Sequence, residues 1–410
     1  MASPVAAAPI ADDETVLPMD VLYDILLRLP AKPLCRLRVV CPSWRSLLRD
    51  PTFIAAHAAR HPAPGPLVVV AMEGTDKDVQ LLDMSGNVVK RLKGAQQCRT
   101  DHMWTHHDLV FLKGEDGLHR VLDPATGATS VLPPRPSRAA RVTEMYVVGW
   151  AAAAGEYKAL TIGVTDQLQD QLEEQVCMVL TLGGNNNGGW RERGSPPARV
   201  ELRYGGEVAV VNGVAYFLMM TNCNGGWHDW IVAFDLELEA WRPDSIRGPM
   251  DLEEDPIRHS YVKLVELNGH LVTSLLRKPS SDTYSVELWF LMDSHNNPLW
   301  SKQYTITLPT TRDCYKYIDN DKPLHVLGDG RILVWIRDGS GDYGVPRVYD
   351  PTTETFTDGA ATRGLRAVGG VYTGSLLRTV GVSVCTGRPV LNPRFHDSRL
   401  ALDGAAEDFT

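Results

Sequence analysis

Histidines 102, 106 and 107, flanked by Asp101 and Asp108, are the densest set of metal-ligand types in the chain. A zinc site needs three or four ligands converging on one point. Adjacent His106 and His107 on a strand would point to opposite faces, so the run reads as exposed histidines. Residues 182–190 are Gly-rich but lack the lysine and the following helical pattern of a phosphate-binding loop. No G-x-S-x-G or H-E-x-x-H sequence occurs, which removes two common hydrolase signatures. Asp251, Glu253, Glu254 and Asp255 could hold a cation or a basic peptide, with a solvated loop as the default. The expectation is a chain with no catalytic residue, no metal and no cofactor.

Aromatic side chains point to binding instead. Trp227, His228 and Trp230 fall between two strand-like runs, where a long hairpin tip is expected. Exposed tryptophans often anchor partners, because they bury a large area and keep a polar handle. The bland alternative is that Trp230 opens the next strand and only Trp227 is free. Trp104, Trp190 and the loop at 278–284 are weaker candidates of the same kind. Trp241, Trp289 and Trp335 sit in strand patterns and are expected in the core.

These residues need a scaffold, and the chain is long enough for two or three domains at 410 residues. Hydrophobic residues make up 44% and charged residues 22%, which suits a packed core and not disorder. No apolar stretch reaches the roughly 18–20 residues of a membrane span. The seven cysteines include no C-x-x-C pair, and no N-x-S/T sequon occurs, so a reducing compartment, cytoplasm or nucleus, is expected. A net charge of −9 with no long basic block argues against nucleic acid as a partner.

Charge and composition both change near residue 60. The segment 16–60 is +4 against −9 for the whole chain, leaving −13 elsewhere. It is Leu- and Arg-rich and reads as helical. Leu17-Pro18 opens a helix with Leu22, Ile25, Leu26 and Leu29 on one face, and Pro30 stops it. Leu34, Leu37, Val40 and Cys41 continue a helical spacing until Pro42. Trp44, Leu47 and Leu48 form the face of a third short helix, and Phe53 begins a last one. About 45 residues cannot hide that many large apolar side chains. They either pack on the domain that follows or dock a partner.

The stretch resembles an F-box over about 41 residues: Leu17-Pro18, Ile25-Leu26, Arg28-Leu29-Pro30, Leu34, Arg36, Arg38, Val40-Cys41, Ser43-Trp44-Arg45, Leu47, Asp50-Pro51 and Phe53. Met19 and Pro42 depart from the usual pattern. The resemblance implies docking to a Skp-family adaptor, and through it to a cullin, in an SCF-type ubiquitin ligase. Leu17, Pro18, Leu22, Ile25, Leu26, Leu29, Pro30, Leu34, Leu37, Val40, Cys41, Trp44 and Leu47 are the adaptor-binding candidates. Some of them must instead form the module's own core, and spacing does not sort the two sets.

From Leu67 onward short Val-rich runs alternate with turn signals. Asn212-Gly213, Asn268-Gly269 and Asp329-Gly330 each separate two apolar alternations, a hairpin signature, at intervals of 56 and 61 residues. Asp123, Asp235 and Asp350 each follow a strand-like run, 112 and 115 residues apart, and suit turns closed by the aspartate on its own backbone. A repeat of about 40–60 residues made of four strands suggests a β-propeller. Six units are outlined at 67–100, 101–134, 142–197, 206–248, 258–309 and 322–358, with 364–378 closing the first. Seven blades, or a large β-sandwich, are the alternatives.

The segment including VKLVELNGHLVTSL and LWSKQYTI resembles the kelch-like F-box-associated domain of plant proteins. The expected plan is a disordered start at 1–15, an all-α F-box module at 16–60, a linker at 61–66, an all-β kelch-like propeller at 67–380 and a tail at 381–410. The function implied is target recognition for ubiquitination. A scaffold working outside ubiquitination, or an enzyme on a propeller, are the alternatives.

Overall fold

The computed structural model describes residues 18–29, 33–34, 37, 40–48 and 50–60. Within 65–373 it describes all but 73–77, 93–97, 107–108, 115–116, 137–141, 166–174, 183–188, 203–207, 220–228, 251–260, 278–283, 294–297, 309–320, 338–342 and 359–364. The expected disordered start and the tail at 381–410 therefore lie outside the described residues.

The helical part contains α1 (Met19–Leu27), α2 (Pro42–Leu47) and α3 (Pro51–Arg60). Two sequence expectations change here. Pro42, where the helical spacing was expected to stop, is itself the first residue of α2, with Cys41 as its cap: the Cys41 Sγ accepts the Trp44 N–H at 3.5 Å. Pro51 likewise opens α3, which runs to Arg60 instead of starting at Phe53. Asp50 Oδ1 caps it, accepting the N–H of Thr52 at 2.8 Å and of Phe53 at 3.2 Å. Proline suits a first helical position because its missing N–H has no partner there.

The remainder is six four-stranded antiparallel sheets. Blade one contains β1 (Leu67–Met72), β2 (Val79–Leu82) and β3 (Val88–Leu92). Blade two contains β4 (Cys98–His106), β5 (Leu109–Gly114), β6 (His119–Leu122) and β7 (Thr129–Val131). Blade three has β8 (Val142–Ala151), β9 (Glu156–Thr165), β10 (Gln175–Leu182) and β11 (Arg191–Arg193). Blade four has β12 (Val208–Val211), β13 (Val214–Leu218), β14 (Ile231–Asp235) and β15 (Ala240–Trp241). Blade five has β16 (Tyr261–Leu267), β17 (His270–Arg277), β18 (Tyr284–Asp293) and β19 (Leu299–Leu308). Blade six has β20 (Lys322–Val326), β21 (Ile332–Arg337), β22 (Gly344–Asp350) and β23 (Thr355–Asp358). The last strand, β24 (Leu365–Tyr372), pairs with β1 and completes blade one, with Leu67 opposite Tyr372.

The six sheets close into a ring. The first strands β24, β4, β8, β12, β16 and β20 touch in that order, and β20 returns to β24. This is a six-bladed propeller, as the repeat predicts. Its hydrophobic core is divided into six layers, one between each pair of neighbours. In β1, Val69 and Ala71 face blade two, and Val68 and Val70 face blade six. A blade's inner strands are buried on both faces, so they read as continuous apolar runs and not as alternations.

Turn chemistry fixes the strand order. Asn212 and Asn268 have φ of 48° and 52° and precede Gly213 and Gly269 at 77° and 83°, the left-handed pair that a two-residue hairpin requires. Asp329-Gly330 differs: the chain turns over 327–331, with Leu327 N donating to Arg331 O at 2.7 Å. Asp123, Asp235 and Asp350 each accept the backbone N–H two residues on, at 2.8, 3.0 and 2.8 Å. Asp83 does the same toward Ser85 at 2.9 Å, a fourth copy not read from the repeat.

Candidate partner-binding surfaces

The helical module has its own core. Leu22, Leu26, Leu27, Leu34, Leu48 and Phe53 are buried together, with Tyr23, Leu29, Leu37, Trp44 and Leu47 packed against them. Phe53 meets the Tyr23 ring edge-on at 5.1 Å between centroids. His57 closes the cluster from α3, buried, with Nε2 2.8 Å from the Leu29 carbonyl. Every member of the cluster comes from the module; among the described residues no propeller side chain enters it.

That core leaves a second apolar face uncovered. Met19 is 55% exposed, Val21 and Ile25 are each 44%, and Val40 is 58%. Pro18 is exposed as well. Pro18, Val21 and Ile25 stand at i, i+3 and i+7, one stripe of a 3.6-residue helix. The face predicted from spacing therefore divides. Leu22, Leu26 and Leu34 point into the module, and Leu29, Leu37, Cys41, Trp44 and Leu47 are half-buried at its margin. Ile25 and Val40 point outward with Pro18. Leu17 and Pro30 lie outside the described residues. Val21 and Met19 were missed, because a helix apolar on two sides does not show which side is covered.

The propeller's two faces differ in their connections. In a four-stranded meander, the first and third turns emerge at one end of the sheet, and the second turn and the link to the next blade at the other. The first end carries tight turns, such as 212–213, 268–269 and 351–354. The second carries long connections, such as 194–207, 219–230, 242–260 and 309–321. Leu67 and Tyr372, the first and last residues of the described strands, lie together at the tight-turn end. Protein-binding sites favour long loops on a rigid scaffold.

Of the aromatic candidates, Trp230 lies on the long-loop face just before β14 and is 37% exposed. Its neighbour Asp229 is 1% exposed and holds the next connection in place, accepting the Met250 N–H at 2.6 Å on Oδ2 and the Gly248 N–H at 3.0 Å on its carbonyl. Trp227 and His228 lie outside the described residues. Trp104 belongs to β4 and not to an exposed loop: it is half-buried, stacked on Phe111 with 5.8 Å between centroids. Trp190 is also half-buried, donating from Nε1 to the Pro133 carbonyl at 2.9 Å. Both tryptophans fill the layer between blades two and three. Tyr284, at the end of the loop at 278–284, is buried.

Of the histidines, His106 has a structural partner: its Nε2 accepts the Trp150 N–H at 3.2 Å. The side chains of His102 and His107 are outside the described residues. Among the described residues no three metal-ligand side chains converge, and no helix is long and apolar enough to cross a membrane.

Comparison with known proteins gives the same two-part division. The family model for an F-box associated beta propeller domain matches residues 77–357, and the F-box domain model matches residues 15–55. The chain is similar to F-box protein CPR1 of Arabidopsis thaliana, 24% identical over 355 residues that cover 78% of this chain and 81% of the relative. It is also similar to an F-box/LRR-repeat/kelch-repeat protein of Arabidopsis thaliana, 25% identical over 302 residues, 72% of this chain and 78% of the relative. Among solved structures, an oligogalacturonate lyase in complex with manganese aligns with a TM-score of 0.38 and 12% identity, covering 68% of this chain and 70% of the other. A likeness that distant says nothing of this chain's chemistry.

Proposed function

The chain belongs to the F-box proteins with an F-box associated β-propeller, and on that premise we propose that it is the target-recognition subunit of an SCF-type ubiquitin ligase. The helical module docks a Skp-family adaptor, which brings a cullin. The long-loop face of the propeller holds a target protein. Transfer of ubiquitin is done by other subunits, and this chain acts by raising the effective concentration of target near them. It needs no catalytic residue for that. Cysteines without C-x-x-C spacing support a reducing compartment, cytoplasm or nucleus, as its place of work.

The observation that carries the reading is the apolar face of Pro18, Val21, Ile25 and Val40, left open by a module whose own core is already closed. Small helical units expose such a stripe where a partner supplies the cover. The positive balance of the segment would speed docking to an acidic partner. The test is co-purification with the adaptor. Val21→Asp with Ile25→Asp should abolish it while the propeller still melts cooperatively. Undiminished adaptor capture by that double variant would sink the proposal. Cullin co-precipitation then separates a ligase subunit from a scaffold that uses the adaptor alone.

A further inference from the structure

The open face of the helical module comes from two pieces of chain. Pro18, Val21 and Ile25 belong to the start and body of α1, and Val40 follows after the chain has left that helix. Two pieces dock one partner tightly only when their spacing is held before contact, because ordering them on binding costs affinity. The point at which the chain leaves α1 sets that spacing.

That point is Leu29. α1 ends at Leu27, and Leu29 closes a last tight turn by donating its N–H to the Leu26 carbonyl at 3.1 Å. Carbonyls at a helix end have no partner within the helix and must find one elsewhere. The last turn of α1 carries no basic side chain that could supply a donor. The Leu29 carbonyl is met instead by His57 of α3, with Nε2 at 2.8 Å. A carbonyl only accepts, so Nε2 carries the proton.

His57 is 4% exposed, and its ring is stacked on Phe53 with 6.3 Å between centroids. An apolar side chain would fill that space without a polar group to satisfy. The imidazole adds a directed bond from α3 to the end of α1. Beyond Leu29 the chain is anchored by Leu34, fully buried, and by Leu37, half-buried on the same cluster. Val40 comes next, its N–H bonded to the Leu37 carbonyl at 3.1 Å and its side chain turned outward.

We infer that His57 is a positioning residue for docking: its bond to the Leu29 carbonyl sets where the chain leaves α1 and so holds Val40 at a fixed distance from the stripe of Pro18, Val21 and Ile25. Being buried, His57 touches no partner itself. The inference deepens the adaptor reading and rests on it for the identity of the partner.

The test titrates the full chain with a purified Skp-family adaptor by calorimetry. His57→Phe keeps a ring and removes the donor, and it should weaken binding about tenfold through the unsatisfied Leu29 carbonyl. His57→Gln, whose amide nitrogen can stand in for Nε2, should bind nearly as the wild type does. Amide exchange of the free chain separates placement from general loosening. In His57→Phe the Val40 amide should exchange about tenfold faster. The Leu22 amide, bonded to the Pro18 carbonyl at 3.0 Å, should not change. A side chain that only stabilised the module would speed both. Where His57→Phe loses helicity, His57→Asn replaces it, polar and smaller than imidazole but too short to reach the carbonyl. Equal affinity with and without the donor would overturn the inference, and so would exchange that rises at both amides or at neither. Failure of the unaltered chain to bind the adaptor would sink the adaptor reading, and the exchange of Val40 against Leu22 would then decide for or against His57 without it.

Discussion

Lys158 of blade three lies 3.1 Å from Glu239 of blade four, with both side chains largely buried. The same carboxylate receives Arg191 and Arg193, so three cations of one sheet grip one anion of the next. Lys158 also donates to the Leu236 carbonyl at 2.9 Å, and Glu237 accepts the Ala153 N–H at 2.7 Å. The turn that begins at Asp235 is thus held on blade three by side chains, in addition to the apolar layer beneath it. Glu239 has a φ of 50°, a conformation that a non-glycine residue adopts at a cost.

Glu239→Gln should destabilise the propeller by on the order of 2 kcal/mol, since it leaves three cations without their anion. Urea unfolding measures it. Burial pushes the Glu239 carboxyl up, but hydrogen bonds from Arg191, Arg193 and Lys158 outweigh it and hold the group at about 2, below its ordinary 4.5. A depressed carboxylate stabilises fully above its unfolded value and loses that contribution as pH falls. The wild type should therefore weaken between about pH 4.5 and 2 relative to Glu239→Gln. Parallel pH profiles for the two would refute the clasp.

Asp321 should behave in the opposite sense. Burial pushes its carboxyl up to about 6, against the Arg337 N–H bond and the attraction of Lys263 and Arg337. The folded chain then holds a proton over a range where the unfolded chain has lost it. Stability falls as pH rises from about 4 to 6 and is level above that. Asp321→Asn keeps an acceptor for the Arg337 N–H, 2.9 Å away in the native chain. It should remove that slope in melts taken across the window.

Ring closure depends on Gly370. Its φ is 137°, and a Cβ there would overlap the Thr105 hydroxyl of blade two. Thr105 Oγ1 donates to the Val371 carbonyl at 3.2 Å, so it cannot retreat without losing a bond. Gly370→Val should cost about 2–4 kcal/mol through backbone strain and overlap. Exchange protection should be lost first in β24 and β1. A variant as stable as wild type would show that the closing strand tolerates a shift.

Leu26 and Ile25 are neighbours in sequence with opposite roles. Leu26 is 1% exposed and Ile25 44%. Leu26→Ala should cost about 2–5 kcal/mol and unfold the small module. Ile25→Ala should leave its helicity intact and act on adaptor binding alone. Circular dichroism of the module, followed by adaptor titration, separates the two effects.

The sequence by itself pointed to a helical segment followed by a β domain and outlined six repeating units, with seven blades or a β-sandwich left open. Asn-Gly pairs and turn aspartates act on their immediate backbone, so Asn212-Gly213 and Asp235 mark strand ends wherever they occur. The closing strand was legible because an apolar run near the end of the propeller had to pair with something. What neighbours cover was decided only by tertiary structure. Trp104 and Trp190 read as exposed aromatics, yet they fill the layer between blades two and three. Ile25 and Leu26 read as one face, yet Leu34, Leu48 and Phe53 close over one side of α1 and leave the other open. The Glu239 clasp joins residues that no local pattern connects. Local rules fix turns and helix ends, whereas burial is a property of whatever packs opposite, and that partner is distant in the chain.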